Sequence, residues 1–356
     1  MADQLNGASK AVCFTLWFKT HTNHRYAQLF NRLDPLVRFY KVPLSRHRFL
    51  RGMQYRLWQA FSRRIIYPGV LGYLGRSYQT LLSIDCNQIP AWPRHDSVVV
   101  DIDDPVFSPA EITLLNLPQV KKIIVTTEKA KTIFERLGVT RPICVIPQGV
   151  SVDQIDIDKV QDIGKRFKGE RDVVIGYHAP TLTLSRDGRS RTRGDQDDLD
   201  FLFAALEKAR GVDPRIKLWL FGQTSETVKQ YAAEADWIKL FGYIPFTEIL
   251  NYIANLDIGV YPRTWTPPPG RSSVKISQFM GCGVPIVSTD VDEAFLIEEI
   301  GCGIVCDSQE SFVKALIQLV RSPQQRAELG KSGKCYAMAN LSWSRLLERY
   351  QTEVRG

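Results

Sequence analysis

Residues 258–288 read IGVYPRTWTPPPGRSSVKISQFMGCGVPIVS, and this stretch sets the fold class. Ile258–Tyr261 is a short β-branched and aromatic run, and Pro285–Ser288 is another. Between them, Pro262–Ser273 is rich in proline and polar residues, and VKISQFMGCG carries a helical pattern. A strand, a loop, a helix and a second strand in this order form a crossover unit. Such a unit places its two strands parallel in one sheet. The loop is stiffened by Pro267, Pro268 and Pro269, and Gly270 lets backbone approach a ligand closely. Ser272 and Ser273 stand where a helix begins, and free N–H groups at such an end attract phosphate. Arg271 and Lys275 add positive charge there, and Lys275 and Gln278, three apart, share a helix face. The cluster suits a diphosphate; it also suits an ordinary solvated helix end.

The same alternation runs outward in both directions. Val12–Phe18, Arg38–Val42, Ser97–Asp101, Lys122–Thr127 and Ile143–Ile146 read as strands of a first set. Ser108-Pro109-Ala110-Glu111 reads as a capping box opening a helix. A polar link, Gln148–Gly169, follows. The second set is Val173–Tyr177, Ile216–Phe221, Trp237–Phe241, Ile258–Tyr261, Pro285–Ser288 and Ile304–Cys306, with helices over Leu199–Arg210 and Pro245–Leu256. The pattern predicts an α/β protein of two Rossmann-like doubly wound domains facing across a cleft. In open sheets of this kind ligands bind outside the carboxyl ends of the strands. Asp101, Asp103 and Asp104 follow the strand Ser97–Asp101, and His21 and His24 follow the first strand. All five are candidate ligand-facing residues, and Asp103 is the candidate to bind or activate a ligand hydroxyl, although Asp103-Asp104-Pro105 would equally serve as a turn and cap.

Composition narrows the class further. The chain has 356 residues, 44% of them hydrophobic, enough for two cores. The first residues, MADQLNGASK, lack a signal-peptide core, and no apolar run is long enough to span a bilayer. Seven scattered cysteines without a CxxC pair read as reduced thiols in a cytosolic protein, without a structural zinc or disulfide framework. The net charge of +8 comes from one place. Pro35–Ile84 contains no Asp or Glu, yet carries Arg38, Lys41, Arg46, Arg48, Arg51, Arg56, Arg63, Arg64 and Arg76. Within it Leu50, Met53, Leu57, Phe61 and Ile65 recur at helical spacing beside Trp58. A basic amphipathic helix with aromatics suits an anionic membrane surface. The apolar stripe would equally pack on the domain's own sheet, and the arginines would equally meet a phosphate-bearing acceptor. No nucleic-acid-binding module is recognisable, so nucleic acid is not an expected partner.

Several strings, in order, carry a family resemblance. Ser277-Gln278-Phe279-Met280-Gly281-Cys282-Gly283-Val284-Pro285-Ile286-Val287 resembles the E-[AY]-M-A-x-G-x-P-V-V signature of nucleotide-sugar glycosyltransferases. These are the GT-B-fold enzymes of the group 1, or family 4-like, class. Ile146-Pro147-Gln148-Gly149-Val150 resembles the I-P-N-G-V-D closing their first domain, and Val174-Ile175-Gly176-Tyr177 the first strand of their nucleotide domain. Leu240-Phe241-Gly242-Tyr243-Ile244-Pro245 with Asp257-Ile258-Gly259-Val260-Tyr261-Pro262 resembles a later segment. Ser342-Trp343-Ser344 with Leu347 and Tyr350 resembles the final helix, which in that class crosses back to the first domain. The resemblance runs from about Asp96 to the C-terminus. It implies an acceptor domain of residues 1–150 with helix 338–356, and a donor domain of residues 151–337.

The resemblance also implies roles and exposes departures. Lys275 and Arg271, with the amides of Ser272 and Ser273, would stabilise the departing diphosphate without a metal. Gln278 would hold the donor ribose, where the class has a glutamate. Gly270 stands where the class has the first glutamate of its E-x7-E pair. Phe241, Gly242, Tyr243 and Ile244 would meet the base, and His178 would touch the donor or serve the structure. The class's usual Arg and Lys pair is replaced by Tyr177-His178-Ala179-Pro180-Thr181 running into an Arg- and Asp-rich loop, Arg186–Asp198. The implied activity is hexosyl transfer from a UDP- or GDP-sugar co-substrate to a glycan or lipid-linked acceptor, with retention of configuration. It would take place in the cytoplasm, peripherally at the inner face of a membrane. The alternatives are an inactive nucleotide-sugar or glycan-binding protein and a sugar-nucleotide epimerase on the same fold.

Overall fold

The computed structural model describes residues 11–16, 24–33, 37–42, 61–184, 199–264 and 268–355. The chain divides into two units. Unit 1 comprises Met1–Gln148, Gly270–Ser272 and Ser344–Gly356, and unit 2 comprises Gly149–Pro269 and Ser273–Trp343.

Unit 1 is built on a parallel sheet of β1 (Ala11–Leu16), β2 (Val37–Val42), β3 (Thr80–Ser83), β4 (Val98–Ile102), β5 (Val120–Val125) and β6 (Ile143–Val145), in the order β2-β1-β3-β4-β5-β6. Its strands β3 and β4 are buried along their whole length, as crossover helices cover a parallel sheet. Val98 and Val100 of β4 pack with Ile123 and Val125 of β5 in the core. Sequence reading missed β3, whose four residues lie inside the acid-free stretch.

The expected capping box is half formed. Ser108 Oγ accepts from Glu111 N at 3.2 Å and starts the helix Pro109–Leu115. The Glu111 carboxylate turns instead to the backbone amides of Val106 and Phe107. It thereby braces Phe107, a bulky residue at a φ of 57°, just beyond Asp103 and Asp104. Burial raises the Glu111 pKa above the ordinary carboxylate value, against the pull of those two amides.

Unit 2 holds β7 (Val173–Leu182), β8 (Ile216–Thr224), β9 (Ile238–Gly242), β10 (Ile258–Tyr261), β11 (Ile286–Thr289) and β12 (Gly303–Cys306). All pair in parallel in the order β12-β11-β10-β7-β8-β9. Counted from β7, this is the 3-2-1-4-5-6 arrangement, whose order reverses between its first and fourth strands, here β7 and β10. Along β7, Val173, Ile175 and Tyr177 enter one core and Val174 enters the other, so the sheet is buried on both faces.

Two helices differ from expectation. The stretch read as a polar link contains the helix Ile157–Phe167, capped by Asp156, whose carboxylate accepts from Asp158 N and Lys159 N. The helix expected over Pro245–Leu256 is confined to Ile249–Ile253. The last helix, Trp343–Arg355, falls from Ser344 onward in unit 1.

Candidate functional site

The crossover from β10 to β11 positions the candidate donor residues of unit 2. Its helix, Val274–Cys282, ends at Gly283, which takes a φ of 73° and so closes the helix in the left-handed conformation that glycine tolerates best. At the other end Ser273 is the N-cap residue, but its side chain makes no capping hydrogen bond. The first turn contains no acid, and its second residue is Lys275. A cation at a helix N-terminus opposes the helix dipole, by about 0.3–1 kcal/mol for an exposed charge. An anionic ligand at this end would reverse that sign.

The Lys275 ammonium lies 5.3 Å from the ring centroid of Tyr177 and 5.5 Å from that of Tyr261. Tyr177 is in β7, Tyr261 is the last residue of β10, and both rings are buried. Lys275 therefore stands at the reversal point of the sheet, where ligands of doubly wound folds bind. Beside it, His178 makes an edge-to-face contact with Phe279 at 5.6 Å. Gln278 is only 3% exposed, and its Oε1 accepts no hydrogen bond among the described residues. Cys282, on the same helix, has its thiol pushed up to about 12 by burial, which keeps it protonated.

The base-facing candidates follow β9. Phe241 joins Phe167, Trp219, Phe221 and Tyr252 in a cluster of rings, stacking on Phe221 at 5.0 Å. Gly242 adopts a φ of 71°, and after it Tyr243 is exposed while Ile244 packs on the core. Phe241 is thus largely a packing residue, and Tyr243 offers the free aromatic surface.

Gly270–Ser272 belong to unit 1. Thr127 Oγ1 donates to the Gly270 carbonyl at 2.7 Å while accepting from Ala130 N at 3.0 Å. Gly270 has a φ of 80°, and a Cβ there would lie 2.9 Å from both Cα and N of Ala130. This is the physical reason that no glutamate stands at 270. Arg271 Nε lies 3.7 Å from Asp104 Oδ1, a long ion pair within unit 1. Ser272 Oγ has no hydrogen-bond partner among the described residues. Of the four residues expected at the diphosphate, Ser273 and Lys275 belong to unit 2, and Arg271 and Ser272 to unit 1.

The acceptor-side aspartates separate. Asp101, expected at a ligand-facing edge, is 1% exposed. Arg25 Nε donates to its two oxygens at 3.1 and 3.2 Å, and the Tyr350 hydroxyl donates to Oδ2 at 2.6 Å. Those bonds anchor Asp101 within unit 1. Burial works against the Arg25 charge, but Asp101, with Tyr350 and Asp103, outweighs it and holds the guanidinium above its ordinary pKa. Arg25 also donates to the carbonyls of Ile146 and Pro147 at 3.0 and 2.9 Å, pinning the exit of β6. The next residue, Gln148, donates its side-chain amide to Asp103. Sequence reading missed Arg25, because its partners lie 76 and 121 residues away. Asp103 is largely buried at the end of β4, whereas Asp104 is exposed.

His21, the Arg186–Asp198 loop and residues 35–36 and 43–60 of the acid-free stretch lie outside the described residues, as does the side chain of His24. The described part of the acid-free stretch forms β2, a turn over Ser62–Ile66, the helix Tyr67–Ser77 and β3. Tyr67, Leu71 and Leu74 face the core, whereas Phe61, Ile65 and Tyr73 are exposed beside Arg64 and Arg76. Among the described residues no helix is long and apolar enough to cross a membrane, and no three His, Cys, Asp or Glu side chains gather to hold a metal.

Residues 188–322 match the family described as glycosyl transferases group 1. A GDP-mannose-dependent monoacylated alpha-(1-6)-phosphatidylinositol monomannoside mannosyltransferase of Corynebacterium glutamicum is 23% identical over 211 residues, 57% of this chain and 54% of its own. The match thus spans about half the length of that curated relative. Among solved structures, HepE of Anabaena in complex with UDP and glucose superposes with a TM-score of 0.69 at 14% identity, over 97% of this chain and 98% of that one. WaaG, a glycosyltransferase involved in lipopolysaccharide biosynthesis, gives 0.65 at 15% identity, over 97% and 99%. At these identities the likeness establishes the fold, which is that of GT-B proteins.

Proposed function

From a chain that resembles the group 1 glycosyltransferases in sequence and has the GT-B fold, we propose that it transfers a hexose from a nucleoside-diphosphate sugar to an acceptor hydroxyl. Unit 2 would bind the donor and unit 1 the acceptor. The observation that carries this reading is Lys275, an ammonium in the first turn of an uncapped helix at the reversal point of the unit 2 sheet. Transfer breaks the bond between the anomeric carbon and a diphosphate oxygen, so negative charge grows on the leaving group. Lys275 and the free amides of the helix end meet that charge without a metal. A preorganised contact of this kind supplies about 3–4 kcal/mol to the transition state.

Asp103, held by Gln148, would orient the acceptor hydroxyl. We assign retention of configuration. The incoming hydroxyl and the leaving oxygen then share one face of the sugar, and the hydroxyl proton passes to the departing phosphate. Gln278 would take the ribose and Tyr243 the base. The exposed face of Phe61, Ile65 and Tyr73, flanked by Arg64 and Arg76, favours an acceptor carried in an anionic lipid surface at the cytoplasmic side of a membrane.

The test is a thermal-shift screen with UDP, GDP, ADP and their sugar conjugates. A conjugate at about 100 times its dissociation constant should add roughly 2.7 kcal/mol of stability. Release of free nucleotide from the stabilising conjugate then identifies an enzyme. Binding without any release, with acceptor extracts present, would leave only a binding protein.

A further inference from the structure

Two charged side chains that no motif marks are buried at the carboxyl ends of β10 and β11. Arg263 lies two residues beyond β10, and Glu293 four residues beyond β11. They are 8% and 4% exposed, with Arg263 Nη1 3.5 Å from Glu293 Oε1. This contact is longer than a close guanidinium–carboxylate bond of about 2.7–2.9 Å. Such a pair adds little stability over apolar residues of the same size, because both ions lose their water. Its surroundings are nonetheless tightly built. Arg263 N donates to Thr289 Oγ1 at 2.9 Å, and that hydroxyl donates back to the Arg263 carbonyl at 2.5 Å. The Arg263 guanidinium stands 5.2 Å from the ring centroid of Tyr261, the ring that Lys275 also approaches. An ammonium and an ion pair therefore neighbour one tyrosine at the edge of the sheet where the strand order reverses.

Charge decides which part of a donor each group can meet. Lys275 and the helix end attract a diphosphate. Glu293 repels one, and its carboxylate can only accept hydrogen bonds, which in a nucleotide sugar come from base N–H groups and from ribose and sugar hydroxyls. With Gln278 taking the ribose and Tyr243 the base in the transfer reading, the hydroxyls left for Glu293 are those of the sugar being transferred. We propose that Glu293 binds the hydroxyls of that sugar, with Arg263 as the positioning residue that orients its carboxylate. This inference rests on the transfer reading above and adds a specificity residue to it. It also places an acid in the donor site away from position 270, where backbone geometry excludes one.

The experiment is isothermal titration of UDP, UDP-glucose, GDP and GDP-mannose into the wild type, Glu293→Gln, Arg263→Lys and the double variant Arg263→Met/Glu293→Leu. For the nucleotide whose conjugate binds the wild type, Glu293→Gln should leave affinity for the free nucleotide unchanged and weaken the conjugate by about tenfold or more. Arg263→Lys should retain most of the conjugate's affinity. The double variant leaves no buried ion unpaired, so it should fold and behave as Glu293→Gln does. Conjugate affinity unchanged in Glu293→Gln and in the double variant overturns the inference. So does a parallel loss for nucleotide and conjugate, which marks the pair as structural. If the wild type binds no nucleotide or conjugate, the transfer reading itself falls, and this inference falls with it.

Discussion

The Tyr350 hydroxyl and the Asp101 carboxylate meet at 2.6 Å in the interior of unit 1, across 249 residues of sequence. The bond ties the last helix to the centre of the first sheet, and Arg25 completes it from the other side of the carboxylate. Burial raises the pKa of Tyr350 well above its ordinary value of 10.0, and Asp101 pushes it the same way. Tyr26, which donates to the Asp101 carbonyl at 2.9 Å, is raised for the same two reasons. The folded protein thus holds both phenolic protons more tightly than the unfolded chain does. Their contribution is complete below the unfolded value and is lost as pH rises past it. Urea unfolding should therefore show stability constant toward pH 10.0 and falling above it. Tyr350→Phe should cost about 1.5–3 kcal/mol near neutrality and remove one proton from the alkaline slope. An unchanged slope in the variant would mean that this hydroxyl is not buried in solution.

Restoring the missing acid at position 270 should harm the protein rather than help it. Gly270 is held at a φ of 80° by Thr127, and any side chain there meets Ala130 backbone at 2.9 Å. The left-handed conformation alone costs a non-glycine residue about 1–2 kcal/mol, and the contact adds to it. Both Gly270→Ala and Gly270→Glu should lower the unfolding midpoint, Gly270→Glu the more. A Gly270→Ala protein as stable as the wild type would show that the loop relaxes freely.

The parts of this structure that were legible in the sequence are those that depend on neighbours in the chain. Ile258–Tyr261 was read as a strand over its full length, and Gly283 closes the next helix. The place of Lys275 in the first turn of that helix was legible too. The helix Ile157–Phe167 was hidden because Ile163 is its one buried residue and most of its other positions are polar or charged. Arg25, Arg263 and Glu293 were hidden for another reason. A charged residue shows no burial signal in sequence, and its partner is supplied by distant chain, 76 residues away for Arg25 and 30 for Arg263. The partners of Asp101 were hidden for the same cause. Its position at a strand end was visible, but the guanidinium and phenol that occupy it were not.

The exposed face of Tyr67–Ser77 and the turn before it should bind anionic lipid. Phe61, Ile65 and Tyr73 present apolar and aromatic surface, with Arg64 and Arg76 among them. Each basic residue near such a membrane contributes about 1 kcal/mol, within a Debye length of about 8 Å at physiological salt. Sedimentation with anionic vesicles at low salt should therefore reverse at high salt. Tyr73→Asp, at a position 69% exposed, should weaken it without unfolding the protein. Equal binding to neutral vesicles would show that charge plays no part.

Lys275→Ala gives the sharpest test of the donor site. The side chain lies over two buried tyrosine rings without being buried itself, so its truncation should leave the fold intact. The helix N-terminus that remains would still attract phosphate, so nucleotide binding should weaken but persist. Transfer depends on charge that grows only as the diphosphate departs, and the ammonium contributes most at that moment. The turnover rate should accordingly fall by about 10²–10³, with a much smaller change in donor affinity. Lys275→Arg keeps the charge but spreads it over a planar fork, which should recover part of the rate. Equal losses in donor affinity and in kcat/KM, with kcat unchanged, would reduce Lys275 to a binding group. The leaving-group role would then have to come from the helix end alone.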